Sequence, residues 1–292
     1  ITDVLVVGAG PCGMTLANLL GLYGVDAVVI DREPDIIDYP RAVGIDDESL
    51  RTCQTVGLVD EVLADTLQGM PIRYYTSWGR VLAHIEPTAR PFGWARRNLF
   101  LQPLLETTLR AGVTRYPSID VRLATELTAL AQTGVGVVAT ARDADGATTE
   151  IHARYAVGAD GGRSSVRDLV GIELAGTTEP VKWLVVDVAD DQLDAPYSAV
   201  YCDSDSPTLM VPLPYRHRRF EFRLRDGEDE DAVVDHDHVG GLLAERYGST
   251  PLPEIVRARV YLHHSRVAST FQAGSVFLAG DAAHLQPPFF GQ

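Results

Sequence analysis

The fold is decided by residues 3–31, which read DVLVVGAGPCGMTLANLLGLYGVDAVVID. A short apolar run covers 3–7, apolar residues at helical spacing cover 11–23, and a second β-rich run covers 27–30. Two apolar runs of strand length on either side of a helical pattern predict a βαβ unit. The sequence therefore predicts an α/β fold.

A glycine motif lies between the first predicted strand and the helix. Gly8, Gly10 and Gly13 form G-x-G-x-x-G, in which the glycines permit a tight turn, close approach of a pyrophosphate and packing of helix on strand. Asp31 ends the second strand, where a carboxylate accepts a hydrogen bond from an adenosine ribose hydroxyl. Arg32 would suit a 2′-phosphate, which Asp31 in front of it would repel. The motif predicts binding of an ADP moiety; a glycine-rich turn without a ligand is the alternative.

Composition and charge exclude several classes of protein. The chain has 292 residues, 46% of them hydrophobic and 22% charged, which is typical of a globular protein. Its formal net charge of −15 disfavours nucleic acid as a partner. No apolar run reaches the roughly 18 residues of a membrane span. Three cysteines without a C-x-x-C pair argue against disulfides and zinc, so we expect a soluble cytoplasmic protein.

The rest of the chain predicts further helices and two sheets. Helical patterns cover 47–56, 99–111 (opened by Asn98) and 239–247. Strand patterns at 127–131, 135–142 and 148–157 predict an antiparallel meander, so the G-x-G-x-x-A at 134–139 is interpreted as a hairpin. Strand patterns at 183–188, 198–202, 208–213 and 219–224 predict a second sheet-based layer. The cluster 216–219, RHRR, is interpreted as a solvated turn, with pairing to a substrate carboxylate as the alternative.

Two more strands end in an aspartate motif. The strand at 155–159 ends in Asp160-Gly161, and the strand at 275–279 ends in Gly280-Asp281. A plain NAD domain needs neither motif, whereas the ribityl hydroxyls of FAD need buried acceptors, a role that suits Asp281. An ordinary turn is the alternative for each motif taken alone.

Together the three motifs resemble a known family. G-x-G-x-x-G at 8–13, D-G-x-x-S-x-x-R at 160–167 and G-D-A-A-H-x-x-P-P at 280–288 resemble the single-component FAD-dependent aromatic hydroxylases, the p-hydroxybenzoate hydroxylase family. Residues 38–48 and 92–98 are similar to the branch that hydroxylates 3-(3-hydroxyphenyl)propionate. The resemblance covers essentially the whole chain.

The resemblance implies site residues that spacing alone does not give. The cofactor-binding set it implies, with Arg32 from the motif above, is Gly8, Gly10, Gly13, Asp31, Arg32, Arg41, Gln102, Asp160, Gly280, Asp281 and Pro288. Tyr201, Met210 and Pro288 are the candidate substrate contacts. Taken without the family, Arg41 and Gln102 would be surface residues, and Tyr201 and Met210 plain core. No side chain is predicted to be catalytic and no metal is expected, because the cofactor supplies the hard chemistry.

The resemblance also implies a domain plan and an activity. It implies a Rossmann-like FAD-binding domain at 1–72, 95–175 and 268–292, a β-sheet substrate domain at 73–94 and 176–267, and a missing C-terminal part. It implies a monooxygenase that hydroxylates a phenolic acid with FAD, NADH or NADPH and O2, through a C4a-hydroperoxyflavin. Another FAD oxidoreductase of this fold and a non-catalytic FAD-binding fragment are the alternatives. Oligomeric state is left open.

Overall fold

The structure is a computed structural model that describes residues 1–287. Strands hold more of the described residues than helices do. The strands in chain order are β1 (Thr2–Val7), β2 (Ala27–Ile30), β3 (Gly44–Ile45), β4 (Thr66–Gln68), β5 (Ile72–Thr76), β6 (Val81–Ile85), β7 (Asn98–Phe100), β8 (Ile119–Arg122), β9 (Glu126–Thr133), β10 (Gly136–Arg142), β11 (Thr148–Gly158), β12 (Leu174–Ala189), β13 (Ser198–Cys202), β14 (Thr208–Leu213), β15 (His217–Arg223), β16 (Glu254–Ala268), β17 (Gln272–Ala273), β18 (Val276–Leu278) and β19 (His284–Leu285).

The helices are short and lie outside the sheets. They are α1 (Pro11–Leu22), α2 (Asp47–Thr55), α3 (Val59–Ala64), α4 (Gln102–Val113), α5 (Ser165–Leu169), α6 (Glu230–Val233), α7 (His236–Tyr247) and a 3-10 turn at Gly280–Ala282. None of the helices within residues 1–287 combines the length and the apolar composition that a bilayer crossing needs.

The first sheet has eight strands and a parallel centre. Its main path runs β17-β18-β11-β1-β2-β8, in which the pairs from β18 to β8 are parallel. Helices α1 and α4 pack on one face, where Met14 and Leu109 join a core with Val6 and Val29. Strands β9 and β10, which pair with the first half of β11, pack on the other face and complete the predicted antiparallel meander. The predicted βαβ unit and α/β fold are confirmed.

The second sheet also has eight strands, in the order β19-β16-β12-β15-β14-β13-β5-β6. One face is covered by α6 and α7, whose Val233, Val239 and Leu243 pack on Phe220 and Met210. The other face turns toward the first sheet and bounds the cavity described below. The predicted second sheet is confirmed, and the predicted domain boundaries stay a prediction. Strand β19 joins this sheet, although the predicted domain boundaries place residues 268–292 in the FAD-binding domain.

One helix prediction is wrong at its start. Residues 98–100 form strand β7, which pairs with β3 and β4, and the helix begins only at Gln102. The buried Asn98 side chain donates to the carbonyls of Ile45 and Ala95, so it fixes this small sheet rather than capping the helix. The hairpin predicted at 134–139 is confirmed as the β9–β10 turn.

The third glycine of the motif sets the contact between α1 and β1. A Cβ on Gly13 would lie 1.8 Å from the Gly8 carbonyl oxygen, a backbone atom that moves only if the helix leaves the strand. We therefore expect Gly13→Ala to lower the free energy of unfolding of the apo-protein by about 3 kcal/mol. Urea denaturation followed by circular dichroism measures this. Gly134→Ala is the control, since a Cβ there meets nothing within 4 Å; equal stability of the two variants would contradict the packing role.

Candidate functional site

A cavity of about 1730 Å³ lies between the two sheets. From the first sheet it is lined by the loops that follow β1, β2 and β11 and by the turn after β18. From the second sheet it is lined by side chains of β5 and of β12 to β16. The cavity is therefore bounded by strand ends on one side and by a sheet face on the other.

The three sequence motifs meet at one edge of the first sheet. Because β18, β11, β1 and β2 are parallel neighbours, their carboxyl ends point to the same edge, where open α/β sheets bind ligands. A Cβ on Gly8 would lie 2.3 Å from the Ala159 carbonyl oxygen, and one on Gly280 would lie 3.0 Å from the Cys12 Cβ. The motifs thus contact one another directly.

The glycine loop leaves an open cradle at the start of α1. Gly8 has a φ of 109°, which favours glycine, and it makes the tight turn. Gly10 lines the cavity, and a Cβ built on it meets nothing within 4 Å. No side chain caps this helix N-terminus. Unpaired amides and the helix dipole at that position suit an anion such as phosphate.

Asp31 holds the glycine loop. One carboxylate oxygen accepts a hydrogen bond from the Ala9 amide at 2.6 Å, and the other accepts from the Glu33 amide at 2.9 Å. The half-buried side chain also lines the cavity. Arg32 is exposed at the cavity rim, with its Nε 3.3 Å from a Glu33 carboxylate oxygen. Asp31 is therefore placed both to shape the loop and to meet a ligand.

The second motif carries a buried acceptor without a partner. Asp160 Oδ2 accepts from the Val166 amide at 3.1 Å, whereas Oδ1 is buried and has no hydrogen-bond partner among residues 1–287. Ser164 caps α5 by accepting from the Arg167 amide at 3.0 Å. Arg167, a residue to which the sequence analysis gave no role, donates to the carbonyls of Gly162 and Ala282. It ties the second motif to the third.

The third motif lies at the cavity rim. Gly280 and the exposed Asp281 both line the cavity. Burial raises the pKa of the neighbouring Cys12 thiol, and the negative charge of Asp281 raises it further. Cys12, Cys53 and Cys202 are free thiols. Pro288, predicted as both a cofactor and a substrate contact, lies outside the described residues.

Gln102 is buried and hydrogen-bonds the backbone of the loop at 40–42. It is 6% exposed, so the surface position expected without the family resemblance is wrong, and its predicted contact with the cofactor stays a prediction. Its Oε1 accepts from the amides of Ala42 at 2.7 Å and Arg41 at 3.2 Å, and its Nε2 donates to Glu106 at 2.8 Å. Burial raises the pKa of that Glu106 carboxyl. Gln102 thus positions the backbone that presents the exposed Arg41 side chain to the cavity.

A buried ion pair holds the same loop from the other sheet. Arg219 Nε lies 2.7 Å from Asp187 Oδ1, and Nη2 lies 3.0 Å from Oδ2. The guanidinium also donates to the carbonyl of Arg41 at 2.8 Å and to that of Pro40. Arg218 is buried too, against Asp191 on the opposite face. The interpretation of 216–219 as a solvated turn is therefore wrong for these two arginines, which lie in β15 and are neutralised by protein carboxylates.

Alternation along the second sheet decides which side chains reach the cavity. The side chains of this wall that line it include Trp183, Val185, Ser198, Val200, Leu209, Val211, Glu221, Tyr261 and His263. Met210 lies on the other face, 4% exposed against α7, and Tyr201 stacks on Tyr75 there. Successive residues of a strand point to opposite faces. The structure therefore does not bring the predicted substrate contacts Tyr201 and Met210 into the cavity.

The cavity also holds an arginine that sequence reasoning missed. Arg97 donates from Nη1 to the Met70 carbonyl at 3.1 Å and from Nη2 to Ser198 Oγ at 2.9 Å. No carboxylate among residues 1–287 lies within ion-pair distance of it. Burial lowers the pKa of this guanidinium. Since it borders the pocket without a counter-ion, it is suited to an anionic ligand group.

The comparison with protein families decides the assignment. The model of the FAD-binding domain family matches residues 1–292. The chain belongs to the FAD-binding domain family. Residues of the site fit that cofactor, because the open cradle at Gly10 suits its pyrophosphate and the unpaired Asp160 Oδ1 suits a hydroxyl or amide donor. Among residues 1–287, no group of three or more His, Cys, Asp or Glu side chains is placed to hold a metal ion.

Curated relatives are similar over the whole chain. A 3-(3-hydroxy-phenyl)propionate/3-hydroxycinnamic acid hydroxylase of Burkholderia cenocepacia (strain HI2424) is 50% identical over 291 residues, covering 100% of this chain and 54% of that protein. An enzyme of the same name from Mycobacterium sp. (strain JLS) is 44% identical, covering 100% of this chain and 51% of that protein. The chain spans about half the length of the curated relatives it matches.

Solved structures show the same fold. The flavin-dependent monooxygenase PieE, in complex with FAD and substrate, gives a TM-score of 0.88 at 26% identity, covering 98% of this chain and 54% of that one. Aklavinone-11 hydroxylase, with FAD and aklavinone, gives 0.86 at 28% identity, covering 99% and 58%. The resemblance to FAD-dependent aromatic hydroxylases predicted from the three motifs is confirmed.

The Asp187–Arg219 pair gives a test of how the loop at 40–42 is anchored to the second sheet. Asp187→Asn removes the carboxylate that is hydrogen-bonded to the buried Arg219 guanidinium, so we expect the free energy of unfolding to fall by about 3–5 kcal/mol. Asp190→Asn is the matched control, because that exposed carboxylate lies 4.0 Å from the Arg216 guanidinium. Exposed pairs contribute about 0–1 kcal/mol. Urea denaturation gives the free energy of unfolding of both variants. Equal decreases in the two variants would show that the buried pair does not stabilise the fold.

Proposed function

We propose that this chain supplies the FAD site and much of the aromatic-substrate site of a monooxygenase that hydroxylates a phenolic acid with NADH or NADPH and O2. The observation that carries the proposal is the shape of the cavity. One side is the edge where three motifs of the FAD-binding family meet, and the other is an apolar and aromatic sheet face. The names of the curated relatives support a 3-(3-hydroxyphenyl)propionate-like substrate.

The proposed cofactor contacts follow from the placement of each motif. Gly10 and the N-terminus of α1 bind the pyrophosphate, and the Asp31 carboxylate accepts from the adenosine ribose. Arg41, held in place by Gln102, contacts the phosphates or the ribityl chain. Gly8 and Gly13 shape the loop, and Arg32 borders the adenosine end. Asp160 and the Gly280-Asp281 turn accept hydrogen bonds from the ribityl side of the cofactor.

When bound, FAD would supply the redox chemistry by which two electrons from the nicotinamide and O2 give one oxygen atom to the ring and one molecule of water. The protein's own residues orient the substrate and exclude water. Val185, Val200, Leu209 and Val211 form an apolar surface that disfavours water beside the ring. This apolar surface supports the binding of an aromatic ring beside the cofactor.

Arg97 is the proposed partner of the substrate carboxylate. It borders the cavity beside Ser198, and its charge is not matched by a carboxylate of residues 1–287. Charged hydrogen bonds to a carboxylate are strong in a partly desolvated site. The cluster 216–219 is not available for this role, because Arg218 and Arg219 already pair with Asp191 and Asp187.

The cytoplasm is the compartment proposed for this protein, since its three cysteines are free thiols. O2 and the nicotinamide are proposed as diffusible co-substrates. No oligomeric state is proposed.

The activity is tested by the absorbance and NADH oxidation of the purified full-length protein. We expect flavin absorption bands and a rate of NADH loss that increases on adding 3-(3-hydroxyphenyl)propionate, with formation of a hydroxylated product. Bound flavin without stimulation by a broad phenol panel would favour a non-catalytic FAD-binding protein. Turnover without a hydroxylated product would favour another FAD oxidoreductase of this fold.

Gly10 gives a test of cofactor binding that leaves the fold intact. Its φ of −75° is open to any residue, and an added Cβ meets no atom of residues 1–287 within 4 Å but enters the cradle. We expect Gly10→Ala to keep the stability of the apo-protein and to weaken FAD binding at least about tenfold, since backbone and pyrophosphate must approach closely. Isothermal titration of apo-protein with FAD measures this. Gly134→Ala is again the control, and unchanged FAD affinity in Gly10→Ala would contradict the assignment.

Arg97 gives a test of carboxylate recognition. Arg97→Met should weaken binding of 3-(3-hydroxyphenyl)propionate about 10- to 100-fold, the range expected for a lost hydrogen bond to a charged group. Binding of the uncharged 3-propylphenol should change little. Titration of the flavin absorbance gives both dissociation constants. Exposed Arg90, mutated to Met, is the control; an equal loss for both ligands in Arg97→Met would show that the arginine supports structure only.

A further inference from the structure

A second carboxyl group faces the cavity from the centre of the sheet wall. Glu221 lies on β15, in register with Val185 of β12 and Leu209 of β14. It is 9% exposed and lines the cavity. A carboxyl group in the middle of an apolar wall is unfavourable unless something compensates it.

The Arg219 charge lies near enough to act on Glu221, but no described residue bonds to its carboxyl group. Within residues 1–287 it makes neither a hydrogen bond nor an ion pair. Arg219, two residues earlier on the same face, already uses its three nitrogens on Asp187 and on the carbonyls of Pro40 and Arg41. The Glu221 carboxyl therefore faces the cavity without a hydrogen-bond partner among these residues, which leaves its hydrogen-bonding capacity available to a ligand.

The surroundings shift the Glu221 carboxyl toward its protonated form. Burial raises the pKa of Glu221, the Arg219 charge opposes this rise, and the Asp187 charge adds to it. A neutral carboxyl both donates and accepts one hydrogen bond, which is the complement of a hydroxyl group. A ligand carboxylate at the same place would have to be desolvated beside the Asp187 charge.

The walls beside Glu221 suit an aromatic ring. Trp183 and His263 stack with ring centroids 5.7 Å apart, and both line the cavity together with Tyr261. Leu209 and Val200, in register on neighbouring strands, continue the surface toward Tyr74. The sheet wall is thus an apolar and aromatic surface, and Glu221 is its acidic hydrogen-bonding group.

Glu221 and Arg97 lie at different places along this sheet wall. Arg97 is bonded to Ser198 on β13, and Glu221 lies on β15, with β14 between them. Two strand spacings are about 10 Å. This separation suits a ring whose hydroxyl group and short acid side chain point in different directions.

We propose that Glu221 hydrogen-bonds the ring hydroxyl group of the phenolic substrate and thereby selects hydroxylated rings over unhydroxylated ones. This inference rests on the proposed function, and it adds the residue that makes the site specific for phenols. A buried group built to bond a hydroxyl discriminates strongly against the analogue that lacks it, because the group is then left unpaired.

The test compares two ligands that differ by one hydroxyl group. The holoenzyme is titrated with 3-(3-hydroxyphenyl)propionate and with 3-phenylpropionate, and the two dissociation constants are read from the flavin absorbance. We expect the wild type to prefer the phenol by at least about tenfold. Glu221→Leu should bring the ratio close to one, whereas Glu221→Gln, whose amide still donates and accepts, should keep most of it. Exposed Glu254 on β16, mutated to Gln, is the control.

Each result supports or overturns the proposal. A wild type that binds both ligands equally, or a Glu221→Leu variant that keeps the ratio, overturns it. If Glu221→Leu does not load FAD, Glu221→Met, which keeps the length of the side chain, gives the same comparison. A wild type that binds FAD but neither ligand overturns the proposed function and this inference with it, whereas stimulated NADH oxidation with an unchanged ratio overturns the inference alone.

Discussion

The site depends on four neighbouring parallel strands that end at one edge of the first sheet. Because β18, β11, β1 and β2 run in the same direction, the segments that follow them emerge side by side, although they are separated by up to about 270 residues in the chain. The closeness of the segments leaves no room for side chains at Gly8 and Gly13. The glycine pattern is therefore a packing requirement of the fold as well as a feature of nucleotide binding.

The second requirement is that the two sheets stay in a fixed relation around the cavity. The loop at 40–42 is held by Gln102 from the first sheet's side and by Arg219 from the second sheet. A bidentate pair with Asp187 fixes the guanidinium and supplies its counter-charge. Buried ion pairs add little net stability but are costly to break, so this one acts mainly as a constraint on geometry. The ion pair thereby holds Arg41 between the edge of the first sheet, where the three motifs meet, and the cavity wall formed by the second sheet.

The pleat of the second sheet separates two different environments. One face packs Phe220, Met210 and Leu184 against α7 and forms an ordinary core. The other face carries Glu221, Arg219 and Asp187, charged groups that are buried because the cavity, the loop at 40–42 and the first sheet cover them. A single strand such as β15 therefore alternates between core and binding surface. Glu221, a charged residue that would be unfavourable in the apolar core, is the residue proposed to make the site specific for phenols.

The sequence by itself determined the βαβ start, the parallel sheet, the second sheet layer and the three motifs, because these depend on local periodicity and on short fixed spacings. It did not determine which face of β13 and β14 borders the cavity. Tyr201 and Met210 were therefore predicted as substrate contacts, although they lie on the face that packs against α7. Without the family resemblance it gave Gln102 as a surface residue, and it interpreted the arginines at 218 and 219 as a solvated turn. The burial of these residues, and the positions of Arg97 and Glu221, come from contacts between segments far apart in the chain. An alternating pattern fixes the period of a strand, but only the tertiary packing decides which of its two faces borders the cavity.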